Sequence, residues 1–509
     1  MTTKITARDL LLLLVLTAAG VLLHGYHLGH QDGAIYLPAI KKNLNPALYP
    51  YDSAFFLSQT RWMLFGELVA FSVRLTRVQL DLAVFLWHLL AIFVVLLASL
   101  QMSRRIFAAP AAQWGAVLTV WAARLLPVAG TQLQLMDRYL HPRDLATAAL
   151  LLAFVAILDR SLAALGWIAA AAVIHPTMAL FGAFHLAIQR FGAWKLLAMA
   201  PLIPLFAFGA PRGPVANDAW REVLSTRPYL FPLRWHWYEW LGVIAPLAIL
   251  TWFARFGRTG VPVCPLVNQV SRRAVLAGVL GVAGAILITT VPAFERFIPT
   301  EPMRTLYFVY FLLVFLGGGL LGERVLRNHP VRWLLFLAPL CLVFFFSHRL
   351  SYPSSPHIEW PGRVPKNAWV EAFDWIRRNT PQEALCALDP LHMARPGEDS
   401  HGFRAFAERS MLADWVKDRA VSALAPELAP TWREQVRDLG VSEIRAGATL
   451  DRWRDFGPDD FRRLQKKYGI SWVVLERPTA AGAALASRRD PRELPCPYAN
   501  SVVMVCRVE

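Results

Sequence analysis

Asp32 stands in HQDGAIYLPAI, a few residues beyond a leucine-rich run suited to lipid. A carboxylate there can act as general base toward a hydroxyl. It can also cap a short helix by accepting backbone N–H groups, with Gly33 next in line. Both readings stand on position alone. Asp52, in YPYDSAFF, reads as an N-cap. Asp137, in MDRYLHPRD, is either paired with Arg138 or Arg143 or available for chemistry. Arg138, Arg143 and Arg304 present the forked N–H donors that hold a phosphate through paired bonds. Tyr36, His175 and His236 are further polar side chains suited to line a cavity around such a site. His236 sits in RWHWYEW, which also reads as an interfacial aromatic belt. His24, His27 and His30 recur every three residues, which would put them on one helix face. Zinc would need a carboxylate or cysteine beside them, so they read as interfacial histidines and no metal site is expected.

The elements that position these groups follow from composition. The chain has 509 residues, 56% hydrophobic and 17% charged, whereas soluble domains are about a quarter charged. Apolar runs of membrane length recur from Leu10–Leu23 to Trp333–Phe346, and several reach a full span only with their flanks. The N-terminus reads as an uncleaved first span. Lys4 and Arg8 before it place the N-terminus in the cytoplasm, and Arg104, Arg105, Arg190, Lys195, Arg272 and Arg273 mark later inner loops. In GWIAAAAVIHPTMALFGAFHLAIQR the residue before Pro176 is pushed out of helical geometry. Two half-length helices meeting at His175 are expected there, and about eleven spans in all. Arg124 lies within the third span and should face a cavity or a protein neighbour. Residues 54–78 read as an interfacial helix with one apolar and one charged side. The fold class expected is thus a polytopic α-helical membrane protein, with a transmembrane domain over 1–350. Its first extracytoplasmic loop covers 24–80, and a small soluble α/β domain covers 351–509.

The formal charge of +16 is uneven. From Ser351 onward there are 23 basic and 22 acidic residues, which leaves 29 and 14 before it. An excess in the membrane half argues against nucleic acid as partner and for membrane lipids or an anionic lipid-linked substrate. In the tail, WVEAFDWIRRNTP and FRRLQKKYG read as helices, and ISWVVLE and SVVMVCRV as strands. Cys496 and Cys506 are either a disulfide of an extracytoplasmic domain or two buried thiols. No P-loop, dinucleotide-binding glycine pattern, HExxH or GxSxG motif occurs in a useful context, which leaves ATP-driven transport and metalloproteolysis without support.

Taken together, the acid soon after the first helix, the interfacial segment, the second acid-bearing loop and the broken hairpin resemble the GT-C superfamily of integral-membrane glycosyltransferases. The tail, with FRAFAERS and KKYGISWVVLE, resembles that of bacterial members without an assigned reaction. The resemblance implies a polyprenyl-phosphate-linked sugar donor, action outside the cytoplasm and an inner-membrane location. It makes Asp32 the catalytic carboxylate and Asp137 the second acid, with Arg138, Arg143 and Arg304 on the donor phosphate. Some members use a divalent metal, so the resemblance leaves a divalent-metal cofactor open; the paired acids seen in some members are not obvious here, and the WWD signature is absent. The alternative is a transporter, a flippase or a non-catalytic binder of lipid-linked intermediates.

Overall fold

The structure, a computed structural model, describes residues 4–192, 217–255, 265–395, 397–442, 444, 452–477 and 494–508. The expected seventh span, Leu196–Ala210, lies outside them. Among the described residues, five helices are long and apolar enough to cross a membrane: Ala7–His24, Leu80–Ile106, Pro265–Thr290, Pro302–Leu326 and Pro330–Ser351. Ala163–Ile174 and Trp237–Phe253 are shorter apolar helices. The protein is therefore a helical membrane protein. The first of these helices begins where Thr6 accepts from the Asp9 N–H and the Asp9 carboxylate accepts from the Thr6 N–H. It ends at Gly25, whose φ of 75° no β-carbon would tolerate comfortably.

The chain forms two compact units. The first comprises Met1–Gly25, Leu86–Gly213 and Pro228–His348. Within it, a close helix crossing joins Pro110–Ala122 to Leu306–Leu321. A β-carbon on Gly115 would lie 2.4 Å from the Gly318 carbonyl oxygen, and one on Gly318 would lie 2.6 Å from that of Gly115. Small residues let two apolar helices touch backbone to backbone, where dispersion rather than water exclusion does the holding. Between helices, β1 (Pro127–Val128) and β2 (Leu133–Gln134) form a short antiparallel hairpin. The chain then runs through MDRYLHP to the helix Pro142–Leu158. Helices Ala163–Ile174 and Pro176–Phe191 meet at His175, whose extended backbone makes the break expected before Pro176.

The second unit comprises Tyr26–Phe85, Pro214–Arg227 and Arg349–Glu509, so the segment after the first span packs with the tail. Residues 54–78 form two helices, Ala54–Thr60 and Phe65–Thr76, rather than the one expected. The second buries Phe65, Gly66, Val69 and Ala70 and leaves Leu68, Phe71 and Leu75 exposed at helical spacing. In the tail, β3 (Leu385–Leu388), β4 (Ser410–Met411), β5 (Trp472–Glu476), β6 (Tyr498–Ala499) and β7 (Val503–Arg507) make one sheet in the order β4-β3-β5-β7-β6. The pairs β3–β4 and β3–β5 are parallel, and β5–β7 and β6–β7 antiparallel. Side-chain alternation serves both faces. Leu385, Ala387, Val473, Met504 and Cys506 point into one core with Trp453, Phe461 and Leu464, while Cys386, Leu388, Val474, Val503 and Val505 point into another with Trp369 and Phe373. The helices expected at WVEAFDWIRRNTP and FRRLQKKYG span Ala368–Asn379 and Pro458–Tyr468. Cys496 and Cys506 are joined in a disulfide.

Candidate functional site

In the second unit, Asp32 occupies the N-cap position of the helix Gly33–Leu44 but its carboxylate makes no capping bond. It accepts instead from Lys417 Nζ at 2.8 Å. The same ammonium donates to Gln31 Oε1 at 2.8 Å. Gln31 has a φ of 47°, a left-handed conformation that costs a non-glycine residue on the order of 1 kcal/mol and recurs at functional sites. Its backbone is held there by a bond from its N–H to the Ser400 carbonyl, 3.2 Å. The start of the helix is fixed by a close approach: a β-carbon on Gly402 would fall 2.2 Å from that of Ala34. Asp32 keeps about a third of its side chain exposed (33%), while Lys417 is nearly covered (9%). One turn on, Tyr36 is buried, with its hydroxyl accepting from Gln59 Nε2 at 3.2 Å. The structure thus brings Asp32 to Lys417, a partner the local sequence did not announce.

Asp52 corrects an expectation. The helix Ala54–Thr60 starts at Ser53 without a side-chain cap, and the Asp52 carboxylate bonds Arg404 and the Met411 N–H. Arg404 also makes two bonds of 2.8 Å to Asp418 and lies 3.9 Å from Asp414. All four side chains are at most 5% exposed. Three acids around one guanidinium leave an excess of negative charge in a dry site. Burial and the neighbouring Asp414 push the Asp418 carboxyl up to about 7, against the opposing pull of Arg404.

In the first unit, Asp137, Arg138 and Arg143 are all buried. Asp137 is paired with Arg143, one of the two partners expected, and its N–H donates to Asp144 Oδ2 at 3.3 Å. Arg124 is 1% exposed and donates to the Gly20 carbonyl at 3.0 Å, so it faces a protein neighbour. Its Nε and Nη1 make no hydrogen bond among the described residues. Arg304 is ion-paired with Glu301, at 2.6 Å from Nε, and reaches Thr177 Oγ1 at 3.3 Å. Thr177 is in turn 3.0 Å from His175 Nδ1, which links two of the expected residues through one hydroxyl. His175 also stacks on His141, with ring centroids 5.8 Å apart. Arg304 and Glu301 border a small cleft shared with Thr131 and Tyr229. His236 is exposed at the start of the helix Trp237–Phe253, its N–H bonded to Glu239 at 2.8 Å and its ring stacked on Tyr238.

The three histidines of the first segment do not share a helix face, because the first helix ends at His24. His24 Nε2 sits 3.2 Å from the Trp121 carbonyl oxygen. In the second unit, His27 Nδ1 meets Glu359 Oε1 at 2.9 Å, and His401 Nε2 meets the same oxygen at 2.8 Å. Burial raises the Glu359 carboxyl, but His401 and His27 more than reverse this and hold it at about 2. The carboxylate that the histidine pattern lacked is therefore present, supplied from the tail. Its only local signal was an isolated acid between Ile358 and Trp360.

The chain matches no protein-family model and no curated protein sequence.

Proposed function

We propose that the protein is an integral-membrane glycosyltransferase of the GT-C kind, moving a sugar from a polyprenyl-phosphate donor to a lipid, glycan or protein acceptor. The observation that carries this reading is Asp32: a part-exposed carboxylate at a helix start that spends nothing on capping, is held by Lys417 and follows a strained residue. In that reading Asp32 accepts the hydrogen bond of the acceptor hydroxyl and takes its proton as the new glycosidic bond forms. The donor's lipid phosphate is the leaving group, so stabilising its growing charge is the larger electrostatic task. Arg138, Arg143 and Arg304, with Asp137 as second acid, are the groups assigned to it. The reading includes about eleven spans, a cytoplasmic N-terminus, an extracytoplasmic α/β domain over 351–509 and an inner-membrane location. The Cys496–Cys506 disulfide supports an oxidising compartment for the tail. The exposed row Leu68, Phe71 and Leu75 supports a helix lying in the membrane interface.

A second reading, a carrier or non-catalytic binder of lipid-linked intermediates, is favoured by one observation: Arg143 and Arg304 are already paired with carboxylates. The two are separated by incubating purified protein with radiolabelled polyprenyl-phosphate sugars and candidate acceptors. Transfer or donor hydrolysis by wild type, lost in Asp32→Asn, supports the enzyme. Donor binding without turnover supports the carrier, and equal turnover in the variant removes Asp32 from the mechanism.

A further inference from the structure

We infer that His27, Glu359 and His401 form a binding site for a divalent cation of the zinc class. His27 Nδ1, His401 Nε2 and a Glu359 oxygen all lie within 4.8 Å of one another. Two imidazoles with one carboxylate is a donor set that suits zinc and its neighbours and disfavours calcium or magnesium. Both imidazoles converge on a single oxygen, Oε1, although Oε2 is close enough to protein to accept from the Leu28 N–H at 2.9 Å. Around a tetrahedral ion with bonds of about 2.0–2.2 Å, neighbouring donors stand roughly 3.3 Å apart. The observed 2.8 and 2.9 Å contacts need to open by only about half an ångström to admit one.

A second observation points the same way. Asp399 is 2% exposed and its Oδ2 makes no hydrogen bond among the described residues, yet it acts electrostatically on both His27 and His401. Glu398 adds to the field on His401. A buried carboxylate with an unsatisfied oxygen, acting on two imidazoles that already share Glu359, is a group that a bound cation would compensate. The surroundings also order the ligands. The His27 ring stacks on Tyr352 with centroids 3.8 Å apart, and Tyr352 Oη lies 3.0 Å from His30 Nδ1. The fourth position falls to water.

The ion would staple three segments already stitched by backbone. The Glu359 N–H donates to the Tyr26 carbonyl at 2.9 Å, and the Gly402 N–H to that of Gly29 at 3.1 Å. Its role is therefore to hold the segment that leads into Gln31 and Asp32, and the site stands whether or not Asp32 is catalytic.

The test uses full-length protein purified without a polyhistidine tag. Elemental analysis should find about one equivalent of zinc or a similar metal per chain, falling about tenfold or more in Glu359→Gln and in His401→Gln. After chelation, adding Zn²⁺ to wild type should raise the melting temperature and release protons, because the metal replaces those shared by the imidazoles and Glu359. Cobalt should give the visible absorption of a four-coordinate site. The wild-type measurements do not depend on the variants folding. Metal well below one equivalent, together with no thermal shift when Zn²⁺ is added to chelated wild type, overturns the inference. So does a thermal shift that persists unchanged in well-folded His401→Gln.

Discussion

Arg404→Met tests the buried charge cluster of the second unit most directly. Arg404 makes one bond to Asp52 and two of 2.8 Å to Asp418, with every partner at most 5% exposed. Methionine fills most of the volume of the stem but strands three carboxylates. Removing one partner of a buried ion pair costs about 3–5 kcal/mol, mostly as uncompensated charge. For a unit of this size that lowers the melting temperature by on the order of 10 °C. The assay is tryptophan fluorescence during heating of detergent-purified protein, at several pH values. The stranded acids can take up protons at low pH, so the loss should shrink as pH falls. Combining Arg404→Met with Asp52→Asn and Asp418→Asn should recover much of the stability, since the two acids hydrogen-bonded to the guanidinium are then neutral and only Asp414, 3.9 Å away, stays charged. An unchanged melting temperature in the single variant refutes the argument. A loss that is independent of pH and persists in the combined variant assigns the effect to packing instead.

Three other perturbations follow from the same geometry. Asp418 is held at about 7 against an ordinary 3.8, so the folded protein retains a proton that the unfolded chain has released. Its contribution is greatest below the ordinary aspartate range and is lost as pH rises from about 4 through about 7, by at most about 4 kcal/mol. Asp418→Asn should flatten that part of a stability–pH curve. Gly115→Val places methyl groups where the Gly318 carbonyl already lies 2.4 Å from a built β-carbon. It should force the helices Pro110–Ala122 and Leu306–Leu321 apart, costing about 1–3 kcal/mol or more and showing as earlier proteolysis or aggregation in detergent, whereas Gly166→Ala, with open space around it, should be silent. Breaking Cys496–Cys506, which closes a loop of sequence separation 10, should cost about 2–3 kcal/mol. Alkylation followed by mass spectrometry should label both cysteines only after reduction.

The features legible in the sequence are those with a local physical cause. Membrane helices announce themselves by composition, the break at His175 by the proline after it, and the strands β5 and β7 by apolar runs whose alternate residues feed two cores. The features that were not legible are ion pairs joining residues far apart in the chain. Asp32 meets Lys417 across 385 positions, His27 meets Glu359 across 332 and Asp52 meets Arg404 across 352. No periodicity or spacing encodes such a pair, because the loops between them carry the geometry. The aspartates at helix starts show what decides the outcome. Both Asp32 and Asp52 stand next to a helix N-terminus, where a cap contributes about 1 kcal/mol. Each turns instead to a remote cation, because a charge-assisted bond outweighs a bond to a neutral N–H. The difference between them is exposure. Asp52 is sealed with Arg404 and serves the fold, whereas Asp32 keeps about a third of its side chain open (33%). An aspartate that declines the cap and yet stays part-exposed differs from one sealed in the fold, and that distinction could be drawn only after its partner was known.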